Sequence, residues 1–217
     1  MNQEQIILKI IEELKAEFSG EASGHDWWHI LRVYNTAKHI AEKEKANMFV
    51  VELGALLHDI ADWKFHDGDE SVGPKKAQAM LERYEVSHEI IDQVCDIILN
   101  VSFKGAAATN GIKTLEGKIV QDADRLDAIG ALGIARTFAY GGFMKREMYN
   151  PETEAEANQS KESYCSKQST TINHFYEKLL LLKDRMNTVS GREMASARHE
   201  FMEKYLEHFY KEWEGEM

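Results

Sequence analysis

The chain has 217 residues and a formal net charge of −11, which is long enough for one sizeable core and acidic enough to repel a phosphate backbone or an anionic membrane. A small phosphorylated ligand is not excluded, because a bound cation and a few basic side chains reverse the field locally. Only two prolines interrupt a composition rich in aliphatic residues, Ala, Glu and Lys, so long helices are expected and the fold class reads as all-α.

Taken in order, Ile6, Ile7, Ile10, Ile11, Leu14 and Phe18 recur at helical spacing and predict an opening amphipathic helix; its scattered Glu and Lys separate it from a signal peptide. Gly20 and Gly24 break it. A second helix follows with Trp27, Ile30, Leu31, Tyr34, Ala37 and Ile40 on its apolar side. A third, about Met48 to Ala61, is apolar nearly all round and belongs at the centre of a fold. KFHDGDESVGP reads as a loop, with Pro74 in the first turn of a helix carrying Ala77, Met80, Leu81 and Tyr84. Ile90, Ile91, Val94, Ile97, Ile98 and Val101 predict a stronger helix, and SFKGAAATNGIKTLEG a Gly/Ala/Thr-rich loop. One helix is expected from about Lys118 to Tyr140, with Ile119, Leu126, Ile129, Leu132 and Phe138 on its apolar side. Residues 148–170 are polar and predict the longest loop, partly disordered. Two last helices are expected near Ile172–Met186 and Arg192–Trp213. Cys95 and Cys165 form no paired motif, so free thiols and a cytoplasmic location are expected. No stretch reaches the roughly 20 apolar residues of a membrane span.

Chemistry is suggested where polar residues interrupt buried helices. In ALLHDIADW, His58 and Asp59 fall within the most apolar segment, where an imidazole and a carboxylate are costly unless each is partnered. A cation across that face satisfies both; a hydrogen-bonded core histidine is the alternative. In HDWWHILRVYNTAKHIA, His25 and His29 share a helix face if His25 is helical, Arg32 follows His29 by three, and His39 turns away toward solvent or a hydrogen bond. In KIVQDADRLDAIGALG, Asp122, Asp124 and Asp127 cluster at what reads as a helix start, where the dipole alone accounts for any one of them but less readily for three.

These three segments, in this order, resemble the HD superfamily of metal-dependent phosphohydrolases, in HILRV, ALLHDIAD and DADRLDA, over residues 20–142. The resemblance implies an HD-domain helical bundle with additional C-terminal helices: one domain over 1–217, the shared core about 20–142 and an extension over 143–217. Carried over by position, His29 is the first metal ligand, His58 and Asp59 the pair, and Asp124 the last. Asp122, two residues away, is the alternative to Asp124, which directly precedes a basic residue, Arg125, as the ligand does in related proteins. Two imidazoles and two carboxylates suit Mn²⁺ first, with Co²⁺, Fe²⁺, Ni²⁺ or Zn²⁺ also accommodated. The segment IIDQVCDIILNVSF lacks the histidines that bring a second metal in some HD proteins; His66 lies in a loop and His88 falls at the helix start, so one metal is expected.

Asp62, one turn after His58, is the candidate to orient water or act as general base. Arg125 and Arg32 are the candidates to neutralise phosphate, with Lys64 and Lys104 as weaker ones. His66, Asp67 and Glu70 are candidates to line the pocket mouth. The expected reaction is hydrolysis of a nucleotide or other small phosphate ester, with nucleoside triphosphate pyrophosphohydrolysis the leading reading. A non-catalytic, metal- and nucleotide-binding sensor is the alternative, and a dinuclear-iron oxygenase is disfavoured by the missing histidines. Partners are expected to be a small phosphorylated substrate, with no duplex nucleic acid and no membrane, in a monomer or homodimer.

Overall fold

A computed structural model of the chain describes residues 1–19, 26–61, 69–101, 111–156 and 169–217. Among these residues all regular structure is helical: α1 (Gln3–Glu17), α2 (Trp27–Glu44), α3 (Met48–Leu57), α4 (Val72–Arg83), α5 (His88–Val101), α6 (Leu115–Asp127), α7 (Gly130–Phe143), α8 (Asn173–Glu177), a 3-10 turn at Leu179–Arg185, and α9 (Val189–Trp213). The all-α expectation holds. None of the described helices is long and apolar enough to cross a membrane.

The described residues fall into two compact units. One comprises those up to 101 together with 111–124; the other begins at Arg125. In the first unit α3 is the centre. α1, α2 and α5 all pack on it, and α4 packs on α5. Eight of its ten residues, Phe49–Val51 and Leu53–Leu57, are buried, as its all-round apolar sequence predicts. Gly54 is where neighbours come closest: a Cβ there would lie 3.1 Å from Ile97 and 3.3 Å from Val120, so the missing side chain lets α5 and α6 approach. Gln121 donates its amide to the carbonyl of Val101 at 3.2 Å, satisfying an acceptor at the α5 C-terminus that the helix itself cannot. Asn2 and Gln5 form a capping box on α1, and Asp26 caps α2 by accepting from the His29 amide at 2.8 Å.

In the second unit α7 packs on α9, and the 3-10 turn packs on α8 and α9. Three arginines fasten backbone here. Arg198 donates to the Leu126 carbonyl, Arg136 to the Asp127 carbonyl at 3.3 Å as well as to its carboxylate at 2.5 Å, and Arg125 to the Arg185 carbonyl. The first two set cations at the C-terminal end of α6, where the helix dipole favours them. The half-buried Phe138, Tyr205 and Phe209 form a run of ring contacts with the buried Phe175.

The structure corrects three boundaries. The third helix ends at Leu57, not near Ala61, because the His58 ring takes up the Ala55 carbonyl and the chain turns away through 58–61. The helix expected over 118–140 is two helices. Ile129 is extended, and Gly130 adopts φ +76°, a conformation glycine holds without strain. Asp122, Asp124 and Asp127 accordingly lie in the second half of α6, not at a helix start, so the dipole does not favour them. The break also resets the helical phase, and Leu132, expected beside Leu126 and Ile129 on a buried face, is exposed. Finally, the segment 172–186 breaks at Lys178 into α8 and a 3-10 turn, whose three-residue period puts Leu179 and Leu182 on one inward face.

Candidate metal centre

Each candidate donor comes from a different local device within the first unit. Asp26 fixes the start of α2, so the His29 side chain projects inward from the first turn and is 1 % exposed. His58 caps the end of α3. Its Nδ1 lies 2.8 Å from the Ala55 carbonyl, which can only accept, so Nδ1 carries the proton and Nε2 presents a lone pair. The turn after α3 carries Asp59. Asp124 comes from the second half of α6.

The donor atoms converge. The two Nε2 atoms are 3.3 Å apart, and Asp59 Oδ2 lies 3.3 Å from each. Asp124 Oδ1 is farther out, 3.6 Å from His29 and 3.9 Å from His58, on the more exposed side of the cluster. Donor atoms about 2.1 Å from a shared cation sit roughly 3 Å from one another, so the inner three are spaced as a ligand set is. His29, His58 and Asp59 are able to hold a metal ion: one donor atom from each falls within 4.8 Å of the others. The buried pair of imidazoles aimed at one carboxylate fits a cation chemically. Without one, burial opposes protonation of His58, but the Asp59 carboxylate, then Asp124, with help from the Ala55 carbonyl, outweighs it and raises the pKa from 6.5 to about 9. A cation supplies the same compensation while leaving both rings neutral.

Asp122 is fully buried, whereas Asp124 keeps about a third of its side-chain exposure. His39 is exposed on α2 and His88 at the α5 start, away from the cluster as read from the sequence. Arg32 is half-buried on α2, Arg125 is tied to the Arg185 carbonyl, and Glu70 is exposed. Asp62, Lys64, His66, Asp67, Lys104, His25 and Cys165 lie outside the described residues. Sequence reasoning missed two supports. Asp26 was legible, as an aspartate directly before a periodic apolar run. The Ala55 carbonyl was not, because a backbone acceptor leaves no trace in residue type.

An all-helical scaffold that brings a histidine from one helix to an adjacent His–Asp pair at the end of another defines a class, and the comparisons agree: residues 27–129 match the HD domain, and the chain belongs to the HD superfamily. Among its relatives is YpgQ of Bacillus subtilis, 42 % identical over 197 residues, or 90 % of this chain and 87 % of that protein. A crystal structure of YpgQ in complex with ADP matches 97 % of each chain with a TM-score of 0.71. A protein from Bacillus thuringiensis described as an HD-superfamily hydrolase is 43 % identical over 98 % of this chain and 99 % of its own, with a TM-score of 0.77. A Lactobacillus plantarum structure covers 99 % of this chain and 100 % of its own, with 32 % identity and a TM-score of 0.83.

Proposed function

We propose that this chain is a metal-dependent hydrolase of nucleotides, acting on a nucleoside triphosphate with water to give the monophosphate and pyrophosphate. The carrying observation is the convergence of His29 Nε2, His58 Nε2 and Asp59 Oδ2, with Asp124 Oδ1 beside them. We assign these four residues as ligands of one divalent transition metal, Mn²⁺ foremost, because two imidazoles bias a mixed nitrogen–oxygen set away from Mg²⁺. When bound, such an ion lowers the pKa of water and polarises a phosphoryl oxygen. The chain's own residues do the rest. Ala55 holds the His58 ring in one tautomer. Asp62 orients water or accepts its proton. Arg32, three residues after His29, and Arg125, directly after Asp124, offset charge on the phosphates, with Lys64 and Lys104 as further cations. Crystallisation of YpgQ with ADP supports a nucleotide as the ligand class.

The test is a panel of nucleotides and phosphate esters assayed with Mn²⁺, Co²⁺ and Mg²⁺ against wild type, Asp59→Ala and Arg125→Ala. Turnover is expected in wild type with Mn²⁺ or Co²⁺ above Mg²⁺, and none in Asp59→Ala. Arg125→Ala should bind metal normally and lose about ten- to hundredfold in kcat/KM, in line with one charge-assisted hydrogen bond to phosphate. Inactivity of wild type on every phosphate with every metal refutes the enzyme and leaves a nucleotide-binding sensor; activity in Asp59→Ala means that the site is misplaced.

A further inference from the structure

Trp28 is placed against the ordinary rule for its residue type. It sits in the first turn of α2 between Trp27, which is 5 % exposed, and His29, which is 1 % exposed, yet is itself 58 % exposed. It is the one exposed large aromatic residue of the first unit among those described. Its neighbours force the orientation. The Trp27 amide donates to the Phe18 carbonyl at 3.4 Å, and Asp26 accepts from the His29 amide at 2.8 Å, so the turn is fastened on both sides. With Trp27 and His29 held inward, the residue between them must face out. Among the described residues the indole has no hydrogen-bond partner and no ring contact.

We propose that Trp28 is the platform on which the nucleobase of the substrate stacks, with Arg32, one turn further on, holding the phosphate next to the sugar. The inference rests on the reading of the metal centre as a nucleotide site and adds the group that receives the base. Position carries it. A lone exposed apolar residue needs no function. This one directly precedes a candidate metal ligand, and a candidate phosphate cation shares its side of the helix. Around α2, the half-buried Arg32 falls between Trp28 and His29, about 40° from the first and about 60° from the second. Residues four apart have Cβ atoms about 5–6 Å from each other, and a helical side chain leans toward the N-terminus, which sets Arg32 over the turn that bears Trp28. The base and α-phosphate of a nucleotide are one sugar apart, a span that these two side chains bridge. The order indole, guanidinium, imidazole then matches the order base, first phosphate, phosphate at the metal. The surroundings exclude a larger partner. The exposed stripe of α2 continues from Trp28 to the polar Asn35 and His39. One ring in polar surroundings is far short of the roughly 1,000 Å² that a specific protein interface buries, whereas a single π-face is what one planar base requires. A stacking face does not read the hydrogen-bonding edges of a base, so all bases should be accepted, purines better than pyrimidines for their larger rings.

The experiment is calorimetric titration of ADP, and in parallel of inorganic pyrophosphate, in the presence of Mn²⁺, into wild type, Trp28→Ala, Trp28→Leu, Trp28→Phe and His39→Ala. Trp28→Ala should weaken ADP by about ten- to hundredfold, in the range that loss of one base–aromatic stack gives, and leave pyrophosphate binding and the melting temperature as in wild type. Trp28→Phe should restore most of the ADP affinity. Trp28→Leu, apolar but without a π-face, should not, and His39→Ala should bind ADP as wild type does. ADP should also quench part of the fluorescence of the four tryptophans, and Trp28→Phe should lose that part. Equal ADP affinity in wild type and Trp28→Ala overturns the proposal. So does a loss of pyrophosphate binding as large as the loss of ADP, which would mean that the centre itself was disturbed, and so does rescue by leucine, which would mean bulk and not stacking. ADP binding that depends on Trp28, with no turnover of any phosphate, refutes the hydrolase and upholds the stacking role. Turnover of nucleotides with KM unchanged in Trp28→Ala refutes the stacking role and leaves the hydrolase intact.

Discussion

Each of the two units carries a histidine withdrawn from water, and without a bound cation their surroundings shift the two pKa values in opposite directions. In the first unit His58 sits against the carboxylates of Asp59 and Asp124, which raise its pKa to about 9 despite burial. In the second, His174 on α8 is half-buried, and burial, then the cations of Lys178 and Arg146, hold it well below 6.5. One ring is primed to hold positive charge and the other to exclude it. The residue type is the same, so the neighbours alone set the chemistry. A buried imidazole among carboxylates is a cation site in waiting; one among cations is a neutral packing group.

The comparison breaks most completely at Asp59. Asp59→Ala removes the carboxylate that both imidazoles face, and Mn²⁺ affinity should fall by well over a hundredfold, beyond what loss of a residue that merely supports a ligand costs. Isothermal titration of Mn²⁺ reads this directly, and near-normal affinity would remove the first unit's special status. Chelation comes next. Mn²⁺ at a hundred times its Kd stabilises by about 2.7 kcal/mol. At roughly 2–4 °C per kcal/mol for a chain of this size, a chelator should lower the melting temperature by about 5–10 °C, and Mn²⁺ should restore it. An unchanged melting curve in protein verified as metal-free would count against the site.

Proton linkage sharpens the contrast further. In metal-free protein the raised pKa of His58 contributes stability that is fully present below 6.5 and lost as pH rises through about 9. His174, with its lowered pKa, contributes stability present above 6.5 and lost as pH falls below it. Melting temperature against pH should therefore decline on both sides. His58→Gln should flatten the alkaline limb alone, and His174→Gln the acid limb alone. A variant that flattens the wrong limb, or both, would show that the two environments are not distinct. The smallest effect is expected at the α6–α7 break. Gly130→Ala imposes φ +76° on a side chain that would also meet Arg198, and should cost about 1–3 kcal/mol without changing Mn²⁺ affinity.

Much of the architecture was legible because helical periodicity is local. The apolar runs of α1, α2 and α5 and the all-round apolar α3 announce themselves in residue order, and Pro74 falls in the first turn of α4 as its missing N–H requires. His29, His58 and Asp59 were legible as polar residues where burial makes them costly, and the HD resemblance named them together. The breaks were harder. Nothing in KIVQDADRLDAIGALG distinguishes a glycine tolerated within a helix from one that turns the chain at φ +76°, so the 118–140 segment read as continuous and its aspartates as helix-starting.

The sequence by itself determined the helical class, the identity of the metal-centre candidates and the acidity that narrows the range of partners, since each depends on residue type and short-range spacing. Only the tertiary structure decided that His29 and His58 meet at 3.3 Å with Asp59 between them, that the Ala55 carbonyl fixes the His58 tautomer, that His174 lies among cations, and that α7 buries Gly130, Gly133 and Gly141 while Leu132 and Phe143 stay exposed. These are relations between residues far apart in the chain or involving the backbone. They follow from which helices pack on which, a choice made by the whole core and not by any one segment.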